Sequence, residues 1–187
     1  MHRPEAARLS PHELYNARLG LWLFIVSEAA LFSAFIAARY LNLGTQRPAE
    51  LNQPLGLAIT AALLLSSLTA YRAETCIAHG DRAGFLRNTL WTLLLAVVFL
   101  VGVVAEWVEA FHLFPPGTRY GTSFFSLTGL HGLHVLSGAV LLLGVYLHGR
   151  RGRYGPEDYW PVEGVVKYWH FVDVAWVFIY PTLYLVG

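Results

Sequence analysis

Long apolar runs separated by short polar stretches dominate this chain. Five runs stand out, at about 17–41, 55–78, 88–111, 123–148 and 164–186, joined by polar connections at 42–53, 79–87, 112–122 and 149–163. Each run is roughly 25 residues long, and a helix of that length crosses a hydrocarbon core of about 30 Å. Strands of a membrane barrel alternate apolar and polar side chains over ~10 residues, and none of these interiors does so. Helices are then the structure that satisfies its own backbone in lipid. The pattern predicts an all-α, five-helix transmembrane bundle. It is a single transmembrane domain over 1–187, with no internal repeat and no low-complexity tract. Punctuation agrees: Ser10 and Pro11 precede the first run, and Pro54 opens the second, where a missing N–H costs nothing.

Composition sharpens this. Hydrophobic residues make up 56% of the chain and charged ones 13%, against about a quarter charged in soluble domains. A net charge of +1 without a clustered basic face argues against nucleic acid as a partner. Cys76 is the single cysteine, so neither an intrachain disulfide nor a cysteine-built metal or iron–sulfur site is expected. Residues 1–15 are polar and lack an apolar core, so a cleaved secretory signal is not expected either.

Charge also predicts orientation. With five spans, Arg3, Arg8, Arg18, Arg72, Arg82, Arg87, Arg150, Arg151, Arg153 and Lys167 share one side, while Arg39, Arg47 and Arg119 lie on the other. The positive-inside rule then puts the N-terminus in the cytoplasm and the C-terminus outside. Arg150, Arg151 and Arg153 read as topology and lipid-phosphate contacts. Trp22, Trp91, Trp107, Trp160 and Trp169 fall near run ends, as interface anchors do.

Ionisable groups inside the runs are the candidate chemistry, since lipid penalises them unless they are partnered. Glu28 shares a helical face with Leu31, Phe32 and Phe35, while Ser27, Ala30, Ala34, Ala37 and Ala38 form a separate small-residue stripe for close helix packing. A carboxyl there is neutral or paired, and both a structural contact and a protonation-linked role stay open. His131, His134 and Gly138 share a face of the fourth run. Two histidines at that spacing can serve a metal or haem, but a closed site needs further ligands, so interhelical hydrogen bonds are the stronger expectation. On the fifth run His170, Asp173, Val177, Tyr180 and Tyr184 fall on one side, at a depth similar to Glu28. Asp173 is expected to accept a hydrogen bond from a neighbouring histidine or tyrosine. A proton wire through Glu28, His131 and Asp173 is the less favoured reading. Glu106 and Glu109 sit near the outer end of the third run, within reach of headgroups and water.

These residues resemble subunit III of the haem–copper respiratory oxidases, the cytochrome c oxidase subunit III family. The stretch YGTSFFSLTGLHGLHV at 120–135 is similar to the block opening the family's penultimate helix. YWHFVDVAWVF at 168–178 resembles its closing signature, with Glu163 in the glutamate place before it. Ser27 to Phe32 is similar to the segment carrying the family's carbodiimide-reactive membrane glutamate, which places that role on Glu28. Weaker matches are LLSSLT at 64–69 and the Glu106–Trp107 pair. Longer members have two further N-terminal helices forming a V-shaped, phospholipid-holding cleft; this sequence resembles the short bacterial form without them.

The resemblance implies an accessory subunit of a proton-translocating terminal oxidase in the bacterial cytoplasmic membrane. It would pack on subunit I, in a complex with subunit II, stabilise the oxidase and support proton uptake. Haem and copper would belong to those partners, with no catalytic centre or metal in this chain and with phospholipid as the ligand left open. Glu28, Glu106, His131, His134, Glu163, His170 and Asp173 would serve structure, lipid and protonation. Alternatives are subunit III of a quinol oxidase, the related accessory protein of nitric oxide reductase, or, from a different class, a proton or small-solute carrier. A carrier would be expected to show repeats and helices broken near mid-membrane, and the sequence has neither.

Overall fold

The computed structural model describes residues 10–46, 48 and 51–186. Arg3, Arg8 and Arg47, used above for orientation, lie outside them, as does most of the polar stretch 1–15. Five α-helices follow in order: α1 Pro11–Leu43, α2 Gln53–Ala78, α3 Arg82–Leu113, α4 Arg119–Arg150 and α5 Trp160–Tyr180, the last continuing into a π-helical turn, Pro181–Leu185. Among the described residues there is no strand, only an isolated bridge between Gly155 and Asp158. Helices α1 to α4 are long and apolar enough to cross a membrane. The 21 residues of α5 also suffice in length, at about 1.5 Å per residue, but carry Glu163, Lys167 and Asp173.

Every helix starts earlier than its apolar run, and in the first four polar caps let the backbone turn helical in polar sequence. Ser10 and Glu13 form a reciprocal box, each side chain bonded to the other's backbone N–H at 3.3 and 2.8 Å. Asn52 accepts from the Leu55 N–H at 3.1 Å, Asp81 from Gly84 at 2.8 Å and Thr118 from Gly121 at 3.0 Å. Each satisfies a donor that the first turn leaves unpaired. At the far end α5 stops short of the predicted 186. Pro181 has no N–H to continue the α pattern, and the chain widens so that the Val186 N–H reaches the Pro181 carbonyl at 3.0 Å. Neighbouring helices hold this turn: the Tyr120 hydroxyl donates to the Leu183 carbonyl at 2.8 Å, and the Gln53 amide to the Tyr184 carbonyl at 2.6 Å.

Helices α2 and α3 form an antiparallel hairpin, α3 passes to α4, and α5 lies against α2 and α4. The buried seam of α2 is Ile59, Ala62, Leu63, Ser66, Ala70, Ala73 and Ile77, mostly small residues. Apolar burial alone does not discriminate between protein and lipid, so close backbone approach and interhelical hydrogen bonds do the specifying. At Gly102 an added Cβ would come within 2.2 Å of Ile59. Trp169 Nε1 donates to Ser66 Oγ and Trp176 Nε1 to Thr60 Oγ1, each at 2.9 Å, while Trp107 donates to Thr128 at 3.0 Å. Trp169 is therefore a core residue and no interface anchor, whereas Trp22 and Trp91 are exposed.

Helix α1 is the outlier. It lies along α4 and α5 and buries only Ile25, Phe32 and Arg39, seven residues apart on one narrow seam. The small-residue stripe Ser27, Ala30, Ala34, Ala37 and Ala38, expected to face a neighbouring helix, points out of the bundle. An aromatic knob and long polar side chains hold α1, so close backbone contact is not needed.

Candidate functional site

Two polar contacts set the register of α1. Near its start the Arg18 guanidinium meets the Glu163 carboxylate at 3.0 Å, and Glu163 also pairs with Lys167 one turn along α5. Both cations lie over the Trp160 ring, at 5.5 and 5.8 Å from its centre. Further along, Phe24 meets Tyr168 at 5.9 Å. Glu28 and Asp173 each lie ten residues beyond the Arg18–Glu163 pair, so they share one level of the bundle, as the sequence predicts.

At that level Glu28 Oε2 lies 3.0 Å from His134 Nε2 of α4, both side chains largely buried. His134 Nδ1 lies 2.8 Å from the Leu130 carbonyl. A carbonyl can only accept, so Nδ1 carries hydrogen, and the neutral ring then offers Nε2 as an acceptor. Contact with Glu28 requires one more proton. Either the carboxyl O–H donates to a neutral ring, or a carboxylate accepts from an imidazolium. The dyad holds exchangeable hydrogen at lipid depth, at the junction of α1 and α4. No partner for Glu28 was legible within its own helix, because the partner comes from another one.

Phe32 sits beside this pair, its ring 4.9 Å from His134 and 6.2 Å from His131. His131 is fully buried, with Trp176 at 4.8 Å and the edge of Phe99 at 5.5 Å. Neither of its nitrogens has a hydrogen-bond partner, which corrects the expectation of an interhelical bond for His131. One turn separates it from His134, enough rotation to aim one imidazole at α1 and the other into aromatic rings of α3 and α5. The two therefore do not converge on a common point. Among the described residues no three histidine, cysteine, aspartate or glutamate side chains gather into a group that could hold a metal ion.

His170 Nδ1 meets the Ser67 hydroxyl of α2 at 2.6 Å. Asp173 is 3% exposed, yet neither carboxyl oxygen has a hydrogen-bond partner, against the expectation of a histidine or tyrosine donor. The hydroxyl beside it, Ser67 of α2, is engaged with His170. Val177 is exposed, so the polar side expected on α5 is interrupted between Asp173 and Tyr180.

Glu106 also departs from expectation. It is 3% exposed and accepts from the Tyr184 hydroxyl at 2.6 Å, rather than reaching headgroups and water. The π-helical turn brings Tyr184 across to α3. Glu109, one turn on, is exposed as expected and accepts from the Asn52 amide at 3.1 Å. Sequence reasoning missed Ser67, although it lies in the LLSSLT stretch, and treated Arg39 only as a charge. Arg39 is buried, donating to the Gly44 carbonyl and, at 2.8 Å, to the Gln46 carbonyl, where it ties down the end of α1.

A family model described as cytochrome c oxidase subunit III matches residues 13–187. The chain is 35% identical to a protein named cytochrome c oxidase subunit 3 from Loxodonta africana, covering 92% of this chain and 70% of that one. A protein of the same name from Corynebacterium diphtheriae is 36% identical, over 90% of this chain and 87% of its own length. A third, from Podospora anserina, is 34% identical over 98% of this chain and 73% of its own.

Proposed function

This chain belongs to the cytochrome c oxidase subunit III family, and on that premise we propose that it packs on subunit I, lengthens the working life of the oxidase and supports proton uptake without a redox centre of its own. It is a membrane protein and an accessory subunit of a multi-subunit haem–copper oxidase. Redox chemistry is assigned to subunits I and II, which hold haem and copper in this reading. The chain is placed in the bacterial cytoplasmic membrane with its N-terminus inside, supported by the distribution of Arg18, Arg72, Arg82, Arg87, Arg150, Arg151, Arg153 and Lys167.

The observation that carries the proton reading is the 3.0 Å contact of Glu28 with His134. Removing the shared proton leaves a carboxylate facing a lone pair, a repulsion that weakens the α1–α4 junction in a medium that screens charge poorly. Proton occupancy and α1 docking are thereby coupled. Glu28→Gln keeps a donor toward Nε2 and cannot ionise. It is expected to hold α1 docked across the pH range and to abolish labelling by a hydrophobic carbodiimide; unchanged labelling would refute the assignment. For the accessory role, an oxidase purified without this chain should keep its haem spectrum and lose activity sooner during turnover. Haem missing from that preparation would contradict it.

A further inference from the structure

His134 is held from two directions, and only one of them lies within its own helix. Its Nδ1 meets the Leu130 carbonyl at 2.8 Å, which fixes the ring. Its own carbonyl is held by hydroxyls. Ser137 donates back along α4 to that carbonyl at 2.8 Å. The Tyr168 hydroxyl of α5 lies 2.8 Å from Ser137 Oγ and donates to the same carbonyl at 3.4 Å. Serine has one hydroxyl hydrogen and it is committed to the carbonyl, so the phenol is also the donor to Ser137. Three groups thus form a closed set that fastens α5 to the turn carrying the dyad's imidazole. Tyr168 is well placed to do this. It is buried, and its ring lies close to α4 at Gly138, where an added Cβ would come within 3.4 Å of Cε1. Phe24 of α1 meets the ring at 5.9 Å, and the Glu28 carboxyl acts electrostatically on the phenol. Both of its neighbours in sequence are anchored, Lys167 to Glu163 and Trp169 to Ser66 of α2. The phenol is a fixed donor on a rigid helix.

We infer that Tyr168, acting through Ser137, is the positioning residue of the Glu28–His134 dyad. This rests on the reading of the dyad as a proton-holding pair. The shared hydrogen bond lasts only while Nε2 stays within ~3 Å of the carboxyl. Helix α1 is attached at few points, so that distance is governed from the α4 side. With the tie in place, the imidazole keeps its position and the proton is shared. Without the hydroxyl, the turn at 134 is held only by its own helix, the contact with Glu28 loosens, and the shared proton is held less firmly. Other titratable groups do not replace the tie. His131, one turn away on α4, and Asp173, at the same level on α5, have no hydrogen-bond partner. Toward the start of α1, Arg18, Glu163 and Lys167 pair among themselves. Helix α5 thereby sets how tightly the lightly held α1 shares its proton with α4.

The test uses the purified oxidase complex and a hydrophobic carbodiimide, which reacts with the protonated carboxyl, and follows the rate of Glu28 labelling against pH. Wild type should show an acid plateau that falls as pH rises. Tyr168→Phe keeps the ring and its contacts and loses only the hydroxyl. Its plateau should match wild type, while on the alkaline limb its rate should be about three- to tenfold lower, the fold-change one hydrogen bond supports. Ser137→Ala should move the same limb, and Ser137→Thr, which retains a hydroxyl, should restore it. Ser137 is exposed, so this pair carries the test if the Tyr168 variant fails to assemble. Phe24→Leu disturbs the same ring from α1 without touching a hydroxyl and should leave the limb in place. An alkaline limb as in wild type for Tyr168→Phe, or for Ser137→Ala where that pair carries the test, overturns the proposal. So does an equal displacement in Phe24→Leu, which would assign the effect to packing. Labelling that persists in Glu28→Gln refutes the dyad reading and this inference with it, so the two failures are distinguishable.

Discussion

Helices α1 and α5 run parallel, side by side, and are held in opposite ways. Helix α5 is wedged among neighbours, with Trp169 and Trp176 fully buried and each indole bonded to a hydroxyl of α2. Helix α1, though twelve residues longer, buries three positions, and its attachment is punctate: Arg18 with Glu163, Glu28 with His134, and Phe32 beside the two histidines. In lipid an apolar surface gains nothing by turning inward, so a helix is fixed by jigsaw contact or by a few polar links. The contrast teaches where change is tolerated. The α2–α5 assembly is a scaffold of steric fit, while α1 is attached by groups whose state can alter.

The largest expected effect falls in the scaffold. At Gly138 an added Cβ would lie 2.8 Å from the Trp169 ring, which is pinned by Ser66 and surrounded on all sides. Gly138→Val should destabilise the chain by about 2–3 kcal/mol, read as a lower temperature for its loss from the complex. Ala34→Val, adding bulk to the outward face of α1, should change the same readout by less than about 0.5 kcal/mol. Equal effects at the two sites would erase the distinction. An intermediate effect is expected at the dyad. Glu28→Ala removes the partner of His134 and should cost about 1 kcal/mol, seen as faster deuterium exchange confined to α1. Faster exchange across α2 and α3 as well would show that α1 is part of the scaffold. The smallest effect belongs to Arg18, whose side chain is 49% exposed. Arg18→Ala should cost no more than about 0.5 kcal/mol, fading as salt is raised. A larger loss than at Glu28 would make the charged end, and not the dyad, the main fastening of α1.

Much of this was legible in the chain. The apolar runs located all five helices, and Ser10, Asn52, Asp81 and Thr118 explain why each of the first four starts before its run does. The ionisable residues worth naming were equally visible, because charge stands out against an apolar background. Their partners were not. Periodicity gives the face of Glu28 on its own helix, but His134 lies 106 positions away and reaches it only through the packing of α4 on α1. The same holds for Ser67 with His170 and Tyr184 with Glu106. Trp169 was misjudged because position near a run end and position at the membrane surface differ once a helix is enclosed. The small-residue stripe of α1 faces out of this chain's own bundle, because composition shows which face could pack closely, not which face its own helices use.

The sequence by itself determined that this chain is a bundle of membrane helices, since in lipid each segment must satisfy its own backbone and apolar length alone identifies it. Only the tertiary structure decided which acid meets an imidazole, which is left with a free oxygen, and which histidine ends among aromatic rings. Those outcomes depend on contacts between helices, over distances of an ångström or less, and such distances follow from how side chains interlock rather than from their order along the chain.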